Sequence, residues 1–164
     1  MAKKIVFILI LFLLNSCGYT SVLKNNKNDF SIISIEIQDK NRISYKIKNS
    51  LSGYVGLKNK PKNYSIGIKS NTTNRITSKD SKGDPKTFEL IILIDLSILE
   101  NQIQYDTKFT KSFAYTNKSN KFDLKNYKDS IIDSLIEKIS IDINKYMMSL
   151  SEWFLKLMNS KRSI

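Results

Sequence analysis

The sequence predicts an α+β fold: a two-layer sandwich in which a four-stranded sheet is packed by two helices, in the order β-α-β-β-β-α. Two patterns and a length predict it. In four stretches apolar residues alternate with polar ones, the period of a strand with one buried face. In two others they recur every three or four residues, the period of a helix with one apolar stripe. One-sided strands and one-sided helices bury those faces against each other, which makes two layers. The chain has 164 residues, and setting the first 16 apart leaves enough for one domain.

The first strand runs from Phe30 to Gln38, with Ile33, Ile35 and Ile37 on one face and Ser34 and Glu36 on the other. Asn41 is placed to cap a helix whose stripe is Ile43, Ile47, Leu51 and Tyr54, ended by Gly53, Gly56 and Pro61. Tyr64, Ile66 and Ile68 alternate with Ser65, Gly67 and Lys69 as a second strand. Arg75 to Lys86, with Gly83 and Pro85, reads as a connecting loop or a flared hairpin tip. Phe88, Leu90, Ile92, Ile94, Leu96 and Ile98 are an unbroken alternate set. They predict the longest strand, central in the sheet and roughly 40 Å long at about 3.3 Å per residue. Glu100-Asn101-Gln102 makes a turn, after which Tyr105, Thr107, Phe109, Lys111, Phe113 and Tyr115 return antiparallel as the fourth strand. From Asp123 the period changes. Tyr127, Ile131, Leu135, Ile139, Ile143 and Met147 lie four apart, broadened by Ile132, Ile136 and Leu150, in a long helix free of Gly and Pro. Trp153, Phe154, Leu157 and Met158 follow. They either extend that helix into the core, the preferred reading, or contact a membrane or partner.

The chain opens Met1-Ala2-Lys3-Lys4 and then runs from Ile5 to Leu14 without a polar residue. A basic start and about ten apolar residues make the pattern of an export signal. The run is half of the about 20 residues that span a bilayer. Leu14-Asn15-Ser16-Cys17-Gly18 resembles the lipobox cut by the lipoprotein signal peptidase, which assigns lipidation to Cys17. The expected organisation is a signal peptide over residues 1–16, a lipidated tether over 17–29, the sandwich domain over 30–150 and a C-terminal tail over 151–164. Gly18 stands where an aspartate would suggest retention in the inner membrane. By resemblance to the enteric sorting rule, the expected location is the cell outer membrane, with the protein lipid-anchored on its periplasmic side.

Composition bounds the function. The chain has no histidine and one cysteine. Ser-His and Cys-His nucleophile systems, most zinc sites and a disulfide framework are thereby excluded. No P-loop, dinucleotide fingerprint or EF-hand spacing occurs. Asp95, Glu100 and Asp106 are read as solvated surface charges. The expectation is a protein that is not an enzyme and takes no cofactor and no metal. A net charge of +12 would suggest nucleic acid in a cytosolic protein, and the export signal argues for no nucleic acid partner. Two sources of the charge stay open: AT-rich codons that supply Lys, Asn and Ile, and an anionic partner at the outer membrane, for which the phosphates of lipopolysaccharide are the obvious choice.

Three features resemble one known family. They are the start Cys17-Gly18-Tyr19 with Leu23 close behind, the segment Ser112-Phe113-Ala114-Tyr115-Thr116-Asn117, and Phe122 just ahead of the long helix. Together with the element order, they resemble the LPS-assembly lipoprotein family, the small lipoprotein subunit of the outer-membrane lipopolysaccharide translocon. Its members often begin Cys-Gly-Phe or Cys-Gly-Tyr, and an aromatic strand end precedes their last helix. The resemblance covers nearly the whole chain after Cys17. It implies a non-catalytic role: a plug inside a large outer-membrane β-barrel, which it helps to assemble, and a receiver of lipopolysaccharide bound for the outer leaflet. The implied partners are that barrel, lipopolysaccharide, and membrane lipid through Cys17. On this reading Arg75, Lys79, Lys82 and Lys86 are the candidate lipopolysaccharide-binding residues, the lysines acting as point charges for phosphate. The alternative is a stand-alone periplasmic-facing lipid-binding carrier lipoprotein. A carrier needs an apolar cavity, whereas a plug has a filled core.

Overall fold

The computed structural model describes residues 29–161. The expected signal peptide, Cys17 and most of the expected tether lie outside the described residues. The α+β architecture is the one the sequence predicts: β1 (Phe30–Ile37), α1 (Arg42–Leu51), β2 (Lys62–Lys79), β3 (Pro85–Glu100), β4 (Ile103–Thr116) and α2 (Lys121–Lys161). The sheet order is β1-β2-β3-β4. β1 lies parallel to β2, and the other two pairs are antiparallel. α1 and α2 share one core with a single face of the sheet.

That face is built by alternation. Tyr64, Ile66 and Ile68 of β2 and Leu90, Ile92, Ile94, Leu96 and Ile98 of β3 are buried to 2 % exposure or less. Helix α1 adds Ile43, Ile47 and Leu51, and α2 adds Ile131, Leu135, Ile139, Ile143 and Met147. Each such aliphatic side chain contributes roughly 1.5–3 kcal/mol when fully withdrawn from water. Tyr54, the fourth residue of the predicted stripe, packs from a short 3₁₀ turn, Ser52–Tyr54, that follows α1.

The first strand departs from the predicted phase. Phe30 and Ile32 are buried, Ile33 is 64 % exposed, and Ile35 and Ile37 are half-buried. The register shifts between Ile32 and Ser34, opposite Tyr64 and Ser65. Ile33 is therefore the extra residue of a bulge, which moves the core face from the even to the odd positions of the strand. Placing Ile33 with Ile35 and Ile37 is corrected on this ground.

The β2–β3 hairpin is longer than predicted. Of the two readings of Arg75 to Lys86, the hairpin tip is the one found, and it is shorter than that stretch. β2 pairs with β3 as far as Lys79 opposite Pro85, leaving only residues 80–84 as the turn. β2, with 18 residues, outlasts β3, with 16, so β3 is interior but not the longest strand. At the other end, Asn101 and Gln102 join β3 to β4. Both have positive φ, 45° and 71°, the backbone of a tight two-residue hairpin turn.

Helix α2 starts where Asn120 caps it, its Oδ1 accepting from Phe122 N at 2.9 Å. It runs without a break past residue 150 to Lys161. Along α1 its contacts advance in step: Lys46 pairs with Asp133, Ser50 Oγ donates to Ser140 Oγ, and the Asn144 amide donates to the Tyr54 hydroxyl. The two helices therefore run in the same direction, opposite to β1 and β4.

Candidate functional site

These directions give the molecule two poles. The first holds the start of β1, the Asn101–Gln102 turn and Tyr54, whose ring lies 5.3 Å from that of Phe30. The second holds the β2–β3 tip, the end of β4 and the start of α2. β2 spans most of the separation, and 18 residues at about 3.3 Å each give roughly 60 Å. The four predicted basic residues all belong to the second pole.

They do not form one equivalent set. Arg75 lies on the face of the sheet opposite the helices and is held by Glu89, with Nε–Oε2 at 2.7 Å and Nη2–Oε2 at 2.5 Å. A hydrogen bond from Ser112 and then the Arg75 guanidinium hold the Glu89 carboxyl below its usual range. The charge of Arg75 is thus already matched. Lys79, Lys82 and Lys86 are exposed.

The turn that carries Lys82 is organised by Asp80. Its Oδ1 accepts from the backbone N–H of Lys82 and of Asp84, both at 2.9 Å, while its own N–H donates to Asp84 O at 2.8 Å. Gly83 takes a positive φ of 87°, which a side chain would strain. Behind the turn, Thr87 Oγ1 shares hydrogen bonds of 2.7 Å with Thr77 Oγ1 and Ser78 Oγ. The lysines therefore project from a fixed frame.

Sequence reading missed the other half of this pole. Asn117 N donates to Lys86 O at 2.9 Å, and the Asn117 amide donates to Pro85 O at 2.8 Å. These bonds pin the β4–α2 connection to the base of the tip. They bring the exposed Lys118, Lys121 and Lys125 alongside Lys86. Phe122, 69 % exposed, stands among them, and Lys118 Nζ lies 4.5 Å above the Tyr127 ring. Six exposed lysines and an exposed aromatic ring thus share one end of the domain with Asp80, Asp84 and Asp123. An array of ammonium groups with apolar surface between them suits an anionic amphiphile.

The three carboxylates of the sequence reading are not gathered into one site. Asp95 pairs with Lys108 at 2.9 Å, and Asp106 accepts from Gln104 Nε2 at 2.9 and 3.0 Å. Both line a surface hollow of about 290 Å³ with Gln38, Ser97 and Thr107. Glu100 is not a solvated charge: it is 3 % exposed and paired with Lys62 at 2.5 Å. Its position on the core face of β3, at the end of the alternate set, accounts for the difference. Burial, and then the charge of Glu100, push the neighbouring Tyr64 hydroxyl well above its usual pKa.

The fold defined by these elements is one known among bacterial lipoproteins. The rare lipoprotein B of Shewanella oneidensis superimposes with a TM-score of 0.54 at 12 % identity, over 78 % of this chain and 99 % of that one. A lipoprotein B of Nitrosomonas europaea gives 0.54 at 10 % identity, over 84 % and 92 %. A lipoprotein of Caulobacter crescentus gives 0.51 at 12 % identity, over 76 % and 91 %. No family model and no curated protein sequence matches the chain.

Proposed function

We propose that this chain is a lipoprotein of the cell outer membrane, anchored through Cys17 on the periplasmic side. In this reading it plugs and helps to assemble the β-barrel lipopolysaccharide translocon and helps to deliver lipopolysaccharide to the outer leaflet. Three things support the reading: the lipobox at Cys17, the shared fold with bacterial lipoproteins along nearly their whole length, and the basic pole opposite the start of β1. The observation that carries it against the stand-alone carrier is the filled core. The buried hydrophobic side chains between sheet and helices are 0–6 % exposed, and partly buried ones such as Phe88, Phe109 and Ile132 pack against them. The hollows of about 290 and 230 Å³ lie at the surface and are lined with charged residues. A carrier site would be a mostly apolar cavity of roughly 300–1,000 Å³. A polar-surfaced sandwich suits the polar lumen of a wide barrel.

The ligand half of the proposal rests on Lys79, Lys82 and Lys86, with Lys118, Lys121 and Lys125 beside them. Changing Lys79, Lys82 and Lys86 to Glu lowers lipopolysaccharide affinity about tenfold at low salt, with a shallower salt dependence. Arg75→Gln, which removes a charge already matched by Glu89, changes it much less. Binding of the purified protein across a salt series measures this, and unchanged affinity of the triple variant sinks the phosphate contact. The barrel half is tested by purification from detergent-solubilised outer membranes. A stoichiometric β-barrel of several hundred residues is expected, and recovery of the chain alone returns the carrier reading.

A further inference from the structure

The two edges of the sheet are finished differently. At the β1 edge, Val55 pairs with Ile32, Gly56 N donates to Ile32 O at 3.0 Å, and the bulge at Ile33 interrupts the row. A covering segment and a bulge are devices by which sheets blunt an edge. The β4 edge has neither. Its 14 residues, Ile103–Thr116, pair with β3 without a register shift and contain no proline. Among the described residues no strand or bridge lies on their outer side. The core is also unfinished there. Tyr105, Thr107, Phe109 and Lys111 stand opposite Ile98, Leu96, Ile94 and Ile92. The β3 row is 0–1 % exposed, whereas the β4 row is only half-buried. Helix α2 packs on that row from one side, Tyr146 on Phe109 and Asp142 on Lys111.

We propose that a second copy of this chain pairs with the β4 edge, strand against strand and antiparallel, to make one continuous eight-stranded sheet from two four-stranded ones. The charges select the register. A twofold axis perpendicular to the sheet keeps the helices of both copies on one face, so each residue meets one that faces the same way. The residue on the axis meets itself. With Lys108, Lys111 or Asp106 on the axis, like charges stand directly opposite and repel. With Thr107 on the axis, Asp106 meets Lys108 of the second copy, Tyr105 meets Phe109, and each of these pairs occurs twice. Unlike charges, paired aromatic rings and paired threonines are the cross-strand neighbours that stabilise antiparallel strands. Asp106 is the one acidic residue of β4, and Lys108 is the one lysine that shares its face, so no other register matches unlike charges. Lys108 also pairs with Asp95, yet 72 % of its side chain stays exposed. The inference goes beyond the plug reading: the pair is the form of the chain apart from a barrel, and it does not depend on lipid at Cys17.

The axis sets Thr107 against its own copy, with about 4.5–5.5 Å between Cα atoms, within the reach of a disulfide. Thr110 meets Gln104 instead and stands roughly 20 Å from its own copy at about 3.3 Å per residue. The full chain, expressed in excess with its own leader and purified in mild detergent, is oxidised as wild type, Thr107→Cys and Thr110→Cys. A band of twice the chain mass on a non-reducing gel is expected from Thr107→Cys alone, with the wild type and its single Cys17 as background. Sedimentation in the same detergent is expected to show a self-association that Asp106→Lys weakens about tenfold and that Asp106→Lys with Lys108→Asp restores. Circular dichroism checks that each variant is folded. Failure of Thr107→Cys to cross-link, or equal cross-linking by Thr110→Cys, overturns the proposal. So does a folded double variant that associates no better than Asp106→Lys. If a charge variant does not fold, the two cysteine variants decide alone.

Discussion

At the scale of single residues, Asp39 carries more of the fold than its exposure suggests. Its carboxylate accepts from Asn41 N at 2.8 Å, Ser44 Oγ at 3.0 Å, Ser70 N at 2.5 Å and Ser70 Oγ at 3.3 Å. It joins the end of β1, the start of α1 and the middle of β2. Burial works to raise its pKa, but the hydrogen bonds prevail and hold it below the usual value. Asp39→Ala is expected to cost about 2–3 kcal/mol, because two backbone donors and two hydroxyls lose their acceptor. A carboxyl with a depressed folded-state pKa contributes fully above its unfolded pKa, near 4, and loses that contribution as pH falls through the folded value. The stability gap between wild type and Asp39→Ala is therefore constant from neutral pH down to about 4 and closes in stronger acid. Urea titrations at pH 7, 5 and 3 measure it; a gap that widened in acid would contradict the assigned role. Asp39 was not legible beforehand because its link to Ser70 joins residues 31 positions apart. The cap at Asn41 was legible, being a local pattern, and Asn41 Oδ1 accepts from Ile43 N at 3.1 Å.

At the scale of elements, legibility followed the burial of one face. β3 and the middle of α2 are buried along one face, and their periods predicted them. β1 misled because a bulge adds a residue without marking the composition: in Ile32-Ile33-Ser34-Ile35 either isoleucine of the first pair fits a core position. The upper half of β2 misled for another reason. Ser70, Thr72 and Asn74 occupy the helix-facing positions there, and Asn71, Thr73 and Arg75 the outer ones. With polar residues on both faces, a paired strand reads as a loop. Ser70 is buried against Ser44, Oγ to Oγ at 2.8 Å, so a hydroxyl pair replaces apolar packing at the start of α1. The β3–β4 turn was placed correctly, and its geometry makes a prediction. Gln102 holds φ at 71°, a region that costs a residue with a side chain roughly 1–2 kcal/mol relative to glycine. Gln102→Gly, giving the Asn-Gly pair such turns prefer, is expected to stabilise the domain by about 1 kcal/mol, and thermal unfolding should rise by a few degrees. A lower midpoint would mean that the Gln102 side chain makes a contact worth more than the strain it bears.

At the scale of the molecule, the candidate site was only half legible. Lys79, Lys82 and Lys86 stood out as a basic stretch, but Lys118, Lys121 and Lys125 join them only because Asn117 bonds to Pro85 and Lys86 across the end of the sheet. Contacts of that kind, between residues about 30 positions apart, leave no period in a sequence. The core and the basic pole are also separable by substitution. The core between α2 and the sheet is closed by Ile139, Ile143 and Met147, each 0 % exposed. Ile143→Ala is therefore expected to cost about 2–4 kcal/mol through the cavity it leaves. The folded variant should keep its lipopolysaccharide affinity, since Ile143 packs in the core whereas the tip lysines are exposed at one end of the domain. Urea unfolding and binding assays on this variant check both halves. A cost below about 1 kcal/mol would mean that the surrounding side chains collapse into the space Ile143 leaves. If the substitution abolishes binding while the fold persists, the ligand is held between sheet and helices rather than by the lysines, and the carrier reading returns.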